Sequence, residues 1–168
     1  MQATAANVGG RVAHIVYERH LSGKRSQMPI DLVVPDLEIS LRLDEFAPRA
    51  ARYHVGHVDH PSPDLRNAVE LLTSELVSRA VQHSGETNGE SLELRAWMPA
   101  DIVRVELRAP PGLLDVPEEP DGVQYDLVLL DQVADRWSVD TSEPSACMWF
   151  EIDRHPRPGE ADHHEWED

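Results

Sequence analysis

Alternating apolar and polar residues predict the strands of this chain. In Leu37–Leu43, leucine and isoleucine alternate with Glu, Ser and Arg, the period-two pattern of a strand with one buried face. The same pattern predicts a hairpin formed by Ser91–Met98 and Ile102–Leu107 around Pro99–Asp101. Shorter strands are predicted over Asp31–Val34, Trp137–Asp140 and Cys147–Ile152.

Apolar residues at helical spacing predict three helices. The first covers Phe46–Val58, with Asp44 as its N-cap and Pro48 in its first turn. The third covers Tyr125–Arg136 and follows the proline-rich segment Ala109–Gln124, which is predicted to be a loop.

The second helix has the clearest signals. Ser62 is a good N-cap, and Pro63 suits the first helical position. The helix is expected to end near Ser84 and Gly85. One apolar stripe at helical spacing runs along it: Leu65, Val69, Leu72, Leu76 and Ala80.

The order of these elements predicts an α+β fold. Strand, two helices, two strands, loop, helix and two strands favour a two-layer sandwich, with helices on one mainly antiparallel mixed sheet. Residues 29–153 would form this domain. Residues 1–28 are an N-terminal extension of uncertain order, with a short helix expected around Val12–Leu21. Residues 154–168, rich in proline, histidine and acids, predict a disordered tail.

The net charge of the chain limits the classes of molecule that it is expected to bind. The net charge is −16, and an acidic surface repels nucleic-acid phosphates and anionic lipids, so neither is an expected partner. Such a surface suits a basic protein partner, or it only keeps the protein soluble. Cys147 is the only cysteine, so an internal disulfide and a cysteine-based zinc site are excluded. With no membrane span or signal peptide visible, a cytoplasmic protein is expected.

Four segments carry a family resemblance. They are LRLDEFAPRAARYHV (41–55), SELVSRAVQHS (74–84), LVLLDQVADRWSV (127–139) and CMWFEI (147–152). In this order they resemble GHKL ATPases of the Bergerat fold, and more closely the actinobacterial anti-sigma-factor serine kinases. The similarity covers Leu37–Ile152. It implies a histidine-kinase-like ATPase domain, and Leu113–Gln124 would correspond to its ATP lid.

The resemblance assigns a role to the second helix. Family members bind ATP with Mg²⁺, using a glutamate as base and an asparagine four residues later at the metal. Glu75 matches the glutamate, but Arg79 stands at the asparagine position. A guanidinium is always charged and has only donors, so it cannot ligate a cation. Arg79 would repel Mg²⁺, and the spacing of four residues would allow it to pair with Glu75.

The other nucleotide motifs are also altered. Ala109 falls where the family aspartate binds adenine, and Pro111 falls at the following glycine. Gln124 and Asp126 replace the phosphate-binding glycines that open the third helix, although Asp126 also fits a simple N-cap. Cys147 stands where the family has a threonine two residues before the tryptophan of the closing strand. The expected nucleotide pocket is therefore degenerate.

These changes predict a regulatory protein more than an enzyme. The expected function is that of a pseudo-kinase in partner switching, which sequesters a sigma factor or a STAS-type anti-sigma antagonist without a cofactor. A homodimer is expected from the family. One alternative is an active serine protein kinase that keeps ATP and Mg²⁺, with Glu75 as base. Another is a small-molecule sensor with Arg79 binding a carboxylate. No metal site is predicted, because His155, His163 and His164 lie in the solvated tail.

Overall fold

The protein contains seven strands and three helices within the residues that the structure describes. The computed structural model describes residues 34–58, 62–84, 90–114, 127–141 and 144–155, and the backbone of 2–5 and 15–18. The strands are β1 Gln2–Ala5, β2 Ile15–Glu18, β3 Leu37–Arg42, β4 Ser91–Trp97, β5 Ile102–Ala109, β6 Arg136–Asp140 and β7 Ala146–Asp153. The helices are α1 Ala47–Gly56, α2 Pro63–His83 and α3 Val128–Val133.

All seven strands belong to one sheet, in the order β1-β2-β6-β7-β5-β4-β3. Every pairing among the described residues is antiparallel, so the α+β class is confirmed and the mixed character is not seen among them. β2 pairs with β6, so the helix expected over Val12–Leu21 is wrong where Ile15–Glu18 form a strand. Of the strand expected over Asp31–Val34, only Val34 is described, and it is exposed and not in a strand.

The two faces of the sheet differ in chemistry. Side chains on one face of β5 and β7, such as Val105, Leu107 and Phe150, are fully buried in the core. On this face α2 contacts β5 and β7, while α1 contacts β3. The intervening positions, such as Arg104 and Glu106, belong to the opposite face, which we call the polar face. The helices and the sheet thus form two layers around one core.

The first helix begins later than the sequence predicts. Its N-cap residue is Phe46, whose position makes no side-chain cap, so Asp44 is not the N-cap. Asp44 instead accepts a hydrogen bond from the backbone N–H of Phe46 at 2.9 Å, two residues along the chain. Pro48 does lie in the first turn, as predicted. Ala47, Ala51 and Val55 form the buried side of α1, which packs on α2.

The second helix confirms its sequence signals. The Ser62 hydroxyl accepts a hydrogen bond from the backbone N–H of Leu65 at 3.2 Å, and Pro63 begins the helix. The predicted apolar stripe is buried over its whole length. The helix ends at His83 with Ser84 as C-cap, while Gly85 lies outside the described residues.

Part of the loop that follows β5 is buried in the hydrophobic core. Ala109 is the last residue of β5, so the loop starts one residue later than predicted. Gly112 has φ +87°, a left-handed conformation that favours glycine. Leu113 and Leu114, the first residues of the expected lid, are buried in the core. The remainder of that lid, 115–126, lies outside the described residues.

The third helix is shorter than predicted. It spans Val128–Val133, and Ala134 is extended with ψ 140°, so the chain has left the helix before Arg136. Arg136 instead opens β6 and lies opposite Glu151 of β7. The pairing of Arg136 in the sheet therefore ends α3 at Val133. The helical spacing of apolar residues continues to Ala134, which is why the sequence predicts a longer helix.

Candidate functional site

Glu75, the expected base, and Arg79, at the position of the metal-ligating asparagine, lie one helical turn apart on α2. Glu75 is half-buried, and Arg79 is buried with 5% of its surface exposed. Within the described ranges no ion pair joins Glu75 to Arg79. Arg79 has polar contacts of its own. The Glu75 carboxylate therefore stays available, while a buried arginine occupies the position where the resemblance would place a metal ligand.

His83 completes the end of this helix. Its Nδ1 lies 2.8 Å from the carbonyl oxygen of Arg79, four residues earlier. Because a carbonyl oxygen only accepts, Nδ1 must carry the hydrogen and donate it. The histidine thus caps one of the last helical carbonyls.

Ala109 and Pro111 cannot supply the missing adenine contact. Ala109 is buried at the end of β5, directly opposite Ala146 of β7. A methyl group accepts no hydrogen bond, and the helix-covered face here carries alanine on both strands. Pro111 is exposed and has no backbone N–H to donate. Gln124 and Asp126, the other expected pocket residues, lie outside the described residues.

Cys147 lies on the opposite side of the sheet from Ala109. It pairs with Arg108 in the β5–β7 register, and its charged neighbours are Glu106, Arg108, Arg104 and Asp140. Grouping Cys147 with Glu75, Arg79 and Ala109 as one pocket is therefore not supported by the strand geometry. Its side chain belongs to the polar face.

The environment of Cys147 suppresses its thiolate. Burial, helped by the negative charge of Glu106, raises the pKa of the thiol from 9.0 to about 12. The folded pKa exceeds the unfolded one, so the stability that this group contributes is complete below pH 9.0. That stability falls as the pH rises toward 12.

We therefore expect Cys147 to react slowly in the folded protein. At pH 8 its rate with a thiol-specific disulfide reagent should be roughly two to three orders of magnitude below that of the same chain in urea. The release of the coloured thiolate measures both rates. Equal rates in the folded and unfolded protein would show that the thiolate is not suppressed.

The described residues do not fit Mg²⁺–ATP as the family resemblance would hold it. Arg79 has only donors and carries the charge of a cation, and Ala109 has no acceptor for an adenine amino group. Glu75 alone retains the chemistry expected of its position. Within the described ranges, no three His, Cys, Asp or Glu side chains form a group suited to a metal ion. Of the tail histidines, His163 and His164 lie outside those ranges.

The polar face carries a charged network that sequence analysis did not identify. At its centre Glu151 is 1% exposed and accepts hydrogen bonds from Arg104 at 2.9 Å and Arg136 at 2.7 Å. Arg136 also donates to Asp153. Burial disfavours the Arg136 charge, but its hydrogen bonds to Asp153 and Glu151 outweigh that effect and raise the pKa of the guanidinium. Charged groups here are thus paired across β5, β6 and β7.

A second branch of the network runs along β5. Glu106 lies within 3.6 Å of Arg104 and accepts a hydrogen bond from Arg108 at 2.7 Å, which raises the pKa of Arg108. The Arg104 guanidinium also stacks over the Trp149 ring, 4.0 Å from its centroid. The alternation of Arg104, Glu106 and Arg108 between apolar residues is the sequence signal that indicates this face.

No helix in the described part of the chain has the length and apolar character needed to cross a bilayer. Searches against protein-family models and against curated proteins found no match to this chain.

Proposed function

We propose that the protein is a cytoplasmic regulator of the GHKL anti-sigma-factor kinase type that binds a protein partner and has lost or impaired Mg²⁺–ATP binding. One observation carries this proposal. A guanidinium, that of Arg79, is 5% exposed on α2 where the resemblance requires a metal-ligating asparagine. The α+β class and the helices on one face of the sheet support this assignment, whereas the mixed sheet that the resemblance implies is not seen among the described strands.

Losses of binding free energy within one nucleotide site add together. The family's metal ligand is replaced by a cation, and its adenine acceptor is replaced by Ala109. Each lost polar contact removes about 1–3 kcal/mol of binding free energy. Two or more such losses at one nucleotide leave little affinity at cellular concentrations.

Exposed apolar side chains support binding of a protein partner. Phe46 and Tyr53 of the α1 region and Leu71 of α2 are large and exposed. Exposed apolar and aromatic groups on neighbouring elements are common in protein interfaces. In the proposed mechanism this surface sequesters a sigma factor or a STAS-type antagonist by steric blocking, in a protein that is itself a homodimer.

Binding to purified candidate partners tests the proposal. Sigma factors and STAS-type proteins from the source genome are titrated against the protein by interferometry, with and without Mg²⁺–ATP. We expect a partner that binds equally well in both conditions. Binding that needs Mg²⁺–ATP, or no binding to either class of protein, would contradict the proposal.

An active serine kinase is the second candidate function, and one observation favours it. Glu75 is half-buried and forms no ion pair within the described ranges, so its carboxylate is available as a base. If the protein is a kinase, Glu75→Ala should abolish phosphate transfer to a partner serine. If it only sequesters, Glu75→Ala should leave partner binding unchanged and no transfer should occur with the wild-type protein. Mass spectrometry of the partner after incubation with Mg²⁺–ATP distinguishes the two.

A further inference from the structure

A cationic groove lies between α1 and α2, away from the expected nucleotide residues. Its volume is about 520 Å³, within the range of small-ligand sites. The side chains that give it its chemistry are Arg49, Arg52, Tyr53, His57, Arg66 and Glu70. We call it the α1–α2 groove.

Three arginines of this groove lack acidic partners. Arg49, Arg52 and Arg66 make no ion pair within the described residues, although the net charge of the chain is −16. Every other arginine that the structure describes has an ion pair or another polar contact. In a protein with this excess of acids, three unpaired guanidiniums around one cavity are a concentrated positive potential.

One acid moderates this charge. Glu70 lies against Gly56 at the end of α1, and a Cβ at that position would overlap its carboxylate. Three arginines and one glutamate leave a charge of about +2 in the groove. This charge matches a phosphate monoester, which carries about −1.5 to −2 at pH 7. The forked donors of arginine also match the geometry of phosphate oxygens.

Two aromatic side chains, Tyr53 and His57, lie beside the arginines of the groove. Tyr53 is 62% exposed, and its ring centroid lies 4.3 Å from that of His57. His57 Nδ1 donates a hydrogen bond to the Tyr53 carbonyl oxygen at 2.6 Å, which holds the imidazole in place and leaves Nε2 for another partner. An exposed ring held next to a cationic site can stack on an organic group attached to a phosphate.

We propose that the α1–α2 groove binds an organic phosphate monoester, with the arginines on the phosphate and Tyr53 on the attached group. The phosphate comes from a free metabolite or from a phosphorylated side chain of a peptide. This site uses neither Glu75 nor Arg79, but it shares Tyr53 with the surface proposed above for a protein partner.

Calorimetric titration with phenyl phosphate tests the site. The wild-type protein should bind it with a dissociation constant below about 1 mM at low ionic strength, and more tightly than inorganic phosphate. Arg52→Ala and Arg66→Ala should each weaken binding by at least tenfold, and Tyr53→Ala should remove the preference over inorganic phosphate. Glu70→Gln should tighten binding about threefold, because it removes the groove's negative charge.

Arg42→Ala is the matched control. It removes the same charge from a well-exposed arginine that pairs with Asp44 outside the groove, and it should leave binding unchanged. A wild-type protein that shows no binding at 10-fold higher ligand, about 10 mM, would overturn the proposal, as would an equal loss in Arg42→Ala and Arg66→Ala. A phosphoserine hexapeptide measured beside O-phosphoserine separates the sources. Tighter binding of the peptide assigns the ligand to a phosphorylated protein, and equal or weaker binding assigns it to a metabolite.

Discussion

Glu151→Ala should lower the free energy of unfolding by about 3–5 kcal/mol. The Glu151 side chain is 1% exposed and is the shared acceptor of Arg104 and Arg136. Removing it leaves two guanidiniums in a buried environment with their central partner gone. Arg104 keeps only Glu106 and Arg136 keeps only Asp153 as acidic neighbours. The loss comes mainly from this incomplete compensation of buried charge, since the ion pairs themselves contribute little net stability after desolvation.

Urea unfolding followed by circular dichroism measures this effect. Glu93→Ala is the control, because Glu93 makes a similar ion pair with Arg95 in a more exposed position and should cost less than about 1 kcal/mol. Joint replacement of Arg104, Glu151 and Arg136 by Met and Leu should restore most of the stability. A loss below about 1 kcal/mol in Glu151→Ala would show that the network is not buried as described.

Trp137→Ala should cost about 3–5 kcal/mol of stability. The indole of Trp137 is 1% exposed within the core, and its Nε1 donates a hydrogen bond to Asp131 Oδ1 at 3.0 Å. The side chain thus fills space below α3 and also ties that short helix to β6. Replacing it by alanine removes the packing and leaves a cavity, and these two costs add.

Two variants separate the contributions of Trp137. Trp137→Phe keeps most of the packing and should lose clearly less stability than Trp137→Ala. Asp131→Ala keeps the indole in the core but removes the acceptor of its N–H, and it should cost about 1–3 kcal/mol because a buried donor is left unsatisfied. The same urea titration measures all three. If Trp137→Ala cost no more than Asp131→Ala, the indole would not be a core residue.

The sequence predicts an element correctly when the residues within that element determine its structure. β3 and β4 follow from strict alternation, because one face is buried and the other carries charge. α2 follows from Ser62, Pro63 and the apolar stripe, since the cap and the buried face are encoded within the helix.

Elements decided by pairing partners were predicted less well. Ile15–Glu18 form a strand because they pair with β6, far along the chain. The third helix stops early because Arg136 pairs with Glu151 in the sheet. No local window contains either partner, so apolar spacing alone extended the helix.

The candidate sites, too, could be predicted from the sequence only where neighbouring residues along the chain determine the geometry. Glu75 and Arg79 share a helix face because four-residue spacing fixes it, but only the fold separates Cys147 from Ala109. The α1–α2 groove could not be predicted from the sequence, because Arg52 and Arg66 lie on different helices and only the fold brings them together. Their lack of acidic partners is a property of the folded surface.

Nucleotide titration of a groove variant tests the central claim most directly. The protein with Arg52→Ala and Arg66→Ala together has no cationic groove to attract phosphate, so any remaining affinity reports the site at Glu75 and Arg79. ATP and ADP are titrated by calorimetry with and without Mg²⁺. We predict no binding at millimolar nucleotide in either condition. Micromolar binding that depends on Mg²⁺ would contradict the account, because it would mean that Arg79 and Ala109 leave a working nucleotide site.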